Sequence, residues 1–216
     1  MTSLPTALAS RLTALLPLHW LAEPICPLCA GSPAGCGCLQ LAELVEGGVS
    51  GAQPLPWWAA GSYAGGLRRR ILQLRRRPRA DALSWLAARA ICGLPRFRRA
   101  PLLLPIPSWK RRAANPLPPL LAQAAARQLA SRCWDGLERS RPVLGQHHLN
   151  RSLRLANQRD AFRAVPAPPG LRRQPLLLVD DILTTGATAC QPAWVRVAGG
   201  GGALPGAHAS PRQAVI

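Results

Sequence analysis

Acidic residues are scarce in this chain. Asp and Glu together number nine in 216 residues against 27 Lys and Arg, a formal net charge of +18. Lysine is almost absent, since Lys110 stands alone, so nearly all of the base is arginine. A GC-rich genome accounts for Arg over Lys but not for the shortage of acids. So little acid cannot neutralise the base internally, and arginine's planar fork suits phosphate, so a polyanionic partner is expected. Long apolar runs are also missing. The longest near the N-terminus, "LTALLPLHWLA", has 11 residues, well short of the roughly 20 a spanning helix needs. Arg11 precedes it, but no small-residue cleavage site follows. No membrane insertion and a cytoplasmic location are expected, a setting in which cysteines are more often ligands than disulfides. Aromatics beyond seven Trp are limited to two Phe and one Tyr.

Apolar residues still make up 48% of the chain, enough for a real core in one domain plus an appendage. Residues 1–46 read as an N-terminal helix, interrupted at Pro17, followed by a cysteine module, and residues 47–62, rich in Gly, Pro and Trp, as a linker. Residues 63–188 form the main domain. In it Leu67, Ile71 and Leu74 mark one face of a helix otherwise dominated by arginine. A second helix is expected from an Asp81 cap to about Gly93, and a third from an Asn115 cap, with Pro116 next, through about Cys133. Segment 139–163 is basic and polar, with a helix expected around 150–160. "PLLLPIP" (101–107) and "QPLLLVDD" (174–181) read as short buried strands. Strands separated by helices predict an α/β fold with a parallel sheet.

The second strand ends in adjacent carboxylates, Asp180 and Asp181, followed by Thr184, Thr185, Gly186, Ala187 and Thr188. Two like charges there repel and need a partner. Ionised carboxylates only accept hydrogen bonds, so hydroxyls or a metal ion suit them. The strand's carboxyl end is where open α/β sheets bind ligands. Small residues and hydroxyls ahead of a helix start suit a phosphate. A phosphorylated ribose satisfies both halves. An ordinary strand, turn and helix cap is the plainer alternative.

"VDDILTTGAT" resembles the phosphoribosyl pyrophosphate (PRPP) signature of type I phosphoribosyltransferases. The resemblance implies a Rossmann-like α/β fold. It sets Asp180 and Asp181 against the ribose hydroxyls and residues 184–188 around the 5′-phosphate, with Mg²⁺ accompanying the pyrophosphate. "YAGGLRRRILQLRRR", "PIPSWKRRAANP" and "GQHHLNRSLRLANQRDAF" precede the signature in that order. With the cysteine cluster, over residues 20–190, they resemble the competence protein F family, linked to DNA uptake and natural transformation. Where that family carries an arginine-glycine-phenylalanine-asparagine run, this chain has Ala113, Ala114 and Asn115, with Arg111 or Arg112 as a displaced substitute. The resemblance implies partners among other DNA-uptake proteins.

Cys26, Cys29, Cys36 and Cys38 fall within 13 residues as CxxC and CxC pairs. Four thiolates in a turn-rich segment suit structural Zn²⁺, while a redox pair or an iron–sulfur site are alternatives. Cys92, Cys133 and Cys190 read as plain core or surface residues, and His147 and His148 as solvent-facing. Lys110, Arg111 and Arg112, with Arg68, Arg69, Arg75 and Arg76, are candidates for pyrophosphate or DNA phosphates. Single-stranded DNA favours such surfaces, with Trp57, Trp58 and Trp109 as stacking platforms or as core. Residues 189–216, with four consecutive glycines and no acid, do not resemble the helix and strand expected after the phosphate loop. A frameshift after Thr188 or a decaying gene would explain them. Three readings follow: a DNA-uptake protein binding phosphorylated ribose or single-stranded DNA, an active phosphoribosyltransferase with an unknown acceptor, or a degraded relative.

Overall fold

The computed structural model describes residues 24–52, 56–108, 114–141, 161–165, 174–183 and 213–215. The helices expected in residues 1–23 and 150–160, and His147, His148, Trp109 and Cys190, lie outside them. After the cysteine segment, with its short helix α1 (Pro33–Cys36), come strands β1 (Leu44–Gly51) and β2 (Trp57–Gly61). Helices α2 (Gly65–Arg76) and α3 (Ala80–Ile91) follow. Next are β3 (Leu102–Pro105), α4 (Leu117–Gln128), β4 (Arg132–Cys133), β5 (Leu137–Arg139), β6 (Phe162–Ala164), β7 (Leu176–Val179) and β8 (Gln213–Val215).

One sheet has the order β1-β2-β8-β7-β3-β4, and a second pairs β5 with β6. Only β1 runs antiparallel to its neighbour in the larger sheet; β2, β8, β7, β3 and β4 are mutually parallel. The chain is therefore mixed α/β with a parallel sheet, built on β3 and β7 in register from Leu102–Leu176 to Pro105–Val179. Both strands are apolar throughout because both faces are covered. Leu103, Leu177 and Val179 face a core shared with α2, α3, α4, Cys26 and Cys38. Leu102, Leu104 and Leu178 face the other way, toward Leu137 and Phe162 of the small sheet.

Sequence expectations differ from the fold at the linker, at the end of the third helix, and at the start of the second, where Arg79 and not Asp81 is the N-cap of α3. Residues 47–62 are not an open linker, since most of β1 and all of β2 lie there. Gly47 and Gly48, both at φ 76°, bulge β1 between Leu44 and Val49, and that break in alternation concealed the strand. The third helix stops at Gln128 rather than near Cys133. Ala130 turns the chain left-handed at φ 48°, and Cys133 joins β4 beside Leu103. Residues 189–212 lie outside the described set, while Gln213–Val215 enters the sheet between β7 and β2. No helix among the described residues is long and apolar enough to cross a membrane.

Candidate functional site

All five parallel strands present their carboxyl ends at one edge of the sheet, and β7 delivers Asp180 and Asp181 to it. The two acids have different surroundings. The Asp181 side chain is only 2% exposed. Arg75, from the end of α2, grips it with a fork: Nε donates to Oδ2 at 2.6 Å and Nη2 to Oδ1 at 3.0 Å. Asn115 Nδ2 donates to the same Oδ2 at 2.8 Å, while its own Oδ1 accepts the amide of Leu117, the first residue of α4, at 3.1 Å, from one place before the N-cap Pro116. Asp181 thus ties α2, α4 and β7 together. Burial alone lowers the Arg75 pKa, but the hydrogen bonds and charge of Asp181 outweigh it and raise it overall.

Asp180 has no such cation bonded to it among the described residues. Its Oδ1 accepts the Asp181 amide at 2.9 Å. Part of its surface reaches solvent, yet protein surrounds it on most sides. That desolvation, followed by the charge of Asp181, pushes its pKa well above the ordinary 3.8. The folded state therefore holds this proton more tightly than the unfolded chain. The resulting stability is complete below the unfolded value and is lost as pH rises through the folded one. Asp180→Asn keeps the acceptor for the Asp181 amide. It is expected to melt several degrees above the wild type at pH 7 and together with it near pH 4, as thermal melts across that range would show.

Beside the acids lies a cavity of about 90 Å³ bordered by Ala59, Gly61, Tyr63, Leu67, Val179 and Asp180. Arg139, at the end of β5, approaches from the other face. Its Nε donates to the Pro107 carbonyl at 3.1 Å and its guanidinium lies 4.4 Å from the centre of the Phe162 ring. Burial lowers its pKa to about 10, with the Asp180 charge acting in the opposite sense. The arrangement is a buried, charge-balanced acid beside a second acid that can exchange a proton and still accept or donate a hydrogen bond.

The cysteine module packs on the same helix that carries Arg75. The four thiol sulfurs lie within 4.8 Å of one another. A tetrahedral zinc site, with Zn–S about 2.3 Å, places its sulfurs about 3.8 Å apart, so the donor set fits a metal ion such as zinc. Donation from the Gly31 amide lowers the Cys29 pKa to about 7, while burial raises that of Cys38 to about 12. Beyond the module, Glu43 Oε1 accepts the Gly66 amide at 3.0 Å and its carbonyl accepts the Ser62 amide at 2.8 Å. A carboxylate at a helix N-terminus also matches the macrodipole. Gly65 and Gly66 leave no room for a Cβ, because Glu43 and Leu41 occupy that space. The cysteine module thus seats α2 at one end, and α2 holds Asp181 at the other.

Of the residues singled out in the sequence, the structure brings Asp180, Asp181 and Arg75 together and gathers the four cysteines. Arg68, Arg69 and Arg76 are exposed on α2. Lys110, Arg111, Arg112 and Thr184, Thr185, Gly186, Ala187, Thr188 lie outside the described residues. Sequence reasoning missed the inward role of Arg75, although its spacing four residues after buried Ile71 marks the core-facing side. It also missed Arg139, which no local pattern distinguishes from its basic neighbours.

DNA utilization protein YhgH of Salmonella typhi is 30% identical over 184 residues, covering 77% of this chain and 75% of that protein. The protein of the same name from Escherichia coli K12 is 30% identical over 196 residues, covering 84% and 82%. The chain belongs to the YhgH family. The Shigella flexneri member is likewise 30% identical, over 183 residues. No family model and no solved structure matches the chain. Membership of the YhgH family is therefore carried by similarity that spans 77% of this chain in the Salmonella typhi comparison and 84% in the Escherichia coli K12 one.

Proposed function

We propose that the chain is a phosphoribosyltransferase-like member of the competence protein F type. It binds a phosphorylated ribose of the PRPP kind at the Asp180–Asp181 edge and single-stranded DNA on its exposed arginines, in the service of DNA uptake. The observation that carries the first half is the pair of unlike acids at the carboxyl end of a central parallel strand, the place where open α/β sheets bind ligands. Asp181 is held in place by Arg75 and Asn115, which leaves Asp180 as the side chain for a ribose hydroxyl. The phosphate falls to Thr184–Thr188, and Mg²⁺ comes with the pyrophosphate. The DNA half is supported by the net charge of +18 and by the name that its relatives carry, DNA utilization protein.

Titration calorimetry with PRPP and Mg²⁺ tests the first half. Saturable heat is expected, weakened at least tenfold, about 1.4 kcal/mol, in Asp180→Asn. Because that variant is expected to be the more stable one, loss of binding cannot be ascribed to unfolding. No heat at millimolar PRPP would remove the proposal.

A further inference from the structure

The arginines at the two ends of the parallel strands differ in state. At the carboxyl edge, Arg75 is committed to Asp181 and Arg139 to Pro107 and the Phe162 ring. The opposite edge collects Arg96, Arg98 and Arg99 from the loop joining α3 to β3, Arg127 from the last turn of α4, and Arg132 from the start of β4. Topology makes them neighbours. Leu102 pairs directly with Arg132, and Arg99 stands three residues before Leu102. All five are exposed. None of their side chains takes part in a hydrogen bond or ion pair among the described residues. Asp135 follows β4 but pairs with none of them.

Five uncompensated guanidinium groups on one edge form a positive field suited to repeated phosphates, which arginine grips with two parallel hydrogen bonds. Phe97 is half-buried between Arg96 and Arg98, an aromatic face beside phosphate-binding cations, the combination that single-stranded nucleic acid uses. We infer that this amino-terminal edge, and not the α2 surface, is the main track for single-stranded DNA, on the opposite side of the sheet from the acid pair. This rests on the nucleic-acid half of the proposed function. Its consequence is that DNA and a phosphoribosyl ligand occupy the protein together without competing.

Fluorescence anisotropy with a labelled oligothymidylate tests it on the full chain. The triple variant R96Q/R98Q/R99Q is expected to bind at least about tenfold more weakly and to flatten the log affinity against log salt slope by about 2, since each lost phosphate contact contributes about 0.7. The triple variant R68Q/R69Q/R76Q is expected to lose less than about threefold. Saturating PRPP with Mg²⁺ is expected to leave DNA affinity unchanged. Melting curves matching the wild type are expected for both variants, because every changed side chain is exposed. The reverse ranking of the two variants, competition by PRPP, equal affinity for duplex, or tighter binding to phosphatidylglycerol vesicles than to DNA would each overturn the assignment. A wild type that binds no DNA would overturn the nucleic-acid reading itself.

Discussion

Cys38→Ser is expected to empty the metal site and lower the melting temperature by about 10 °C or more, at roughly 2–4 °C per kcal/mol for a chain of this size. Zinc-finger peptides owe about 10–16 kcal/mol of apparent folding free energy to the metal, so the loss here is bounded by the protein's own stability, about 5–15 kcal/mol. The effect reaches beyond the module because Cys26, Leu28 and Cys38 share a core with Leu67, Ile71 and Leu74 of α2. Releasing them uncovers that stripe and detaches Glu43 from the Gly66 amide. Atomic emission for bound zinc, with thermal melts before and after a chelator, checks this. Full zinc occupancy in the variant, or melts that ignore the chelator, would refute it. Acid should favour metal loss, since protons compete for all four sulfurs.

Arg75→Met is expected to cost about 3–5 kcal/mol, the usual penalty for stranding one partner of a buried pair. The large value is warranted because Asp181 is 2% exposed and would keep only the Asn115 donor. Adding Asp181→Leu should restore most of the loss, since well-packed apolar substitutes for a buried pair are often neutral or better. Urea unfolding of the three proteins at pH 7 measures both effects. A single variant within 1 kcal/mol of the wild type, on the order of one ordinary hydrogen bond, would mean that solvent reaches Asp181.

What was legible in the sequence followed from strong periodicity. Leu67, Ile71 and Leu74 pointed to the buried face of α2, and the runs at 102–105 and 176–179 to strands covered on both sides. The cysteine spacing pointed to four convergent sulfurs. The hairpin of β1 and β2 was illegible because positive-φ glycines break its alternation and its tryptophans are only half-buried. The state of the acids was illegible for a different reason. Their adjacency is local, but Arg75 lies 106 residues away along the chain. No window of sequence separates the arginine that holds Asp181 from Arg68, Arg69 and Arg76 of the same helix, which are exposed.

The placement of β8 bears on how the protein is made. Val215 aligns with both Trp57 and Leu178, so the strand that joins the early hairpin to the central sheet is synthesised after both of them. Until then β2 and β7 present bare edges, the surfaces most prone to wrong pairing. Contacts this distant along the chain close slowly. Nascent chains are therefore most exposed to aggregation in the interval between synthesis of β7 and arrival of β8.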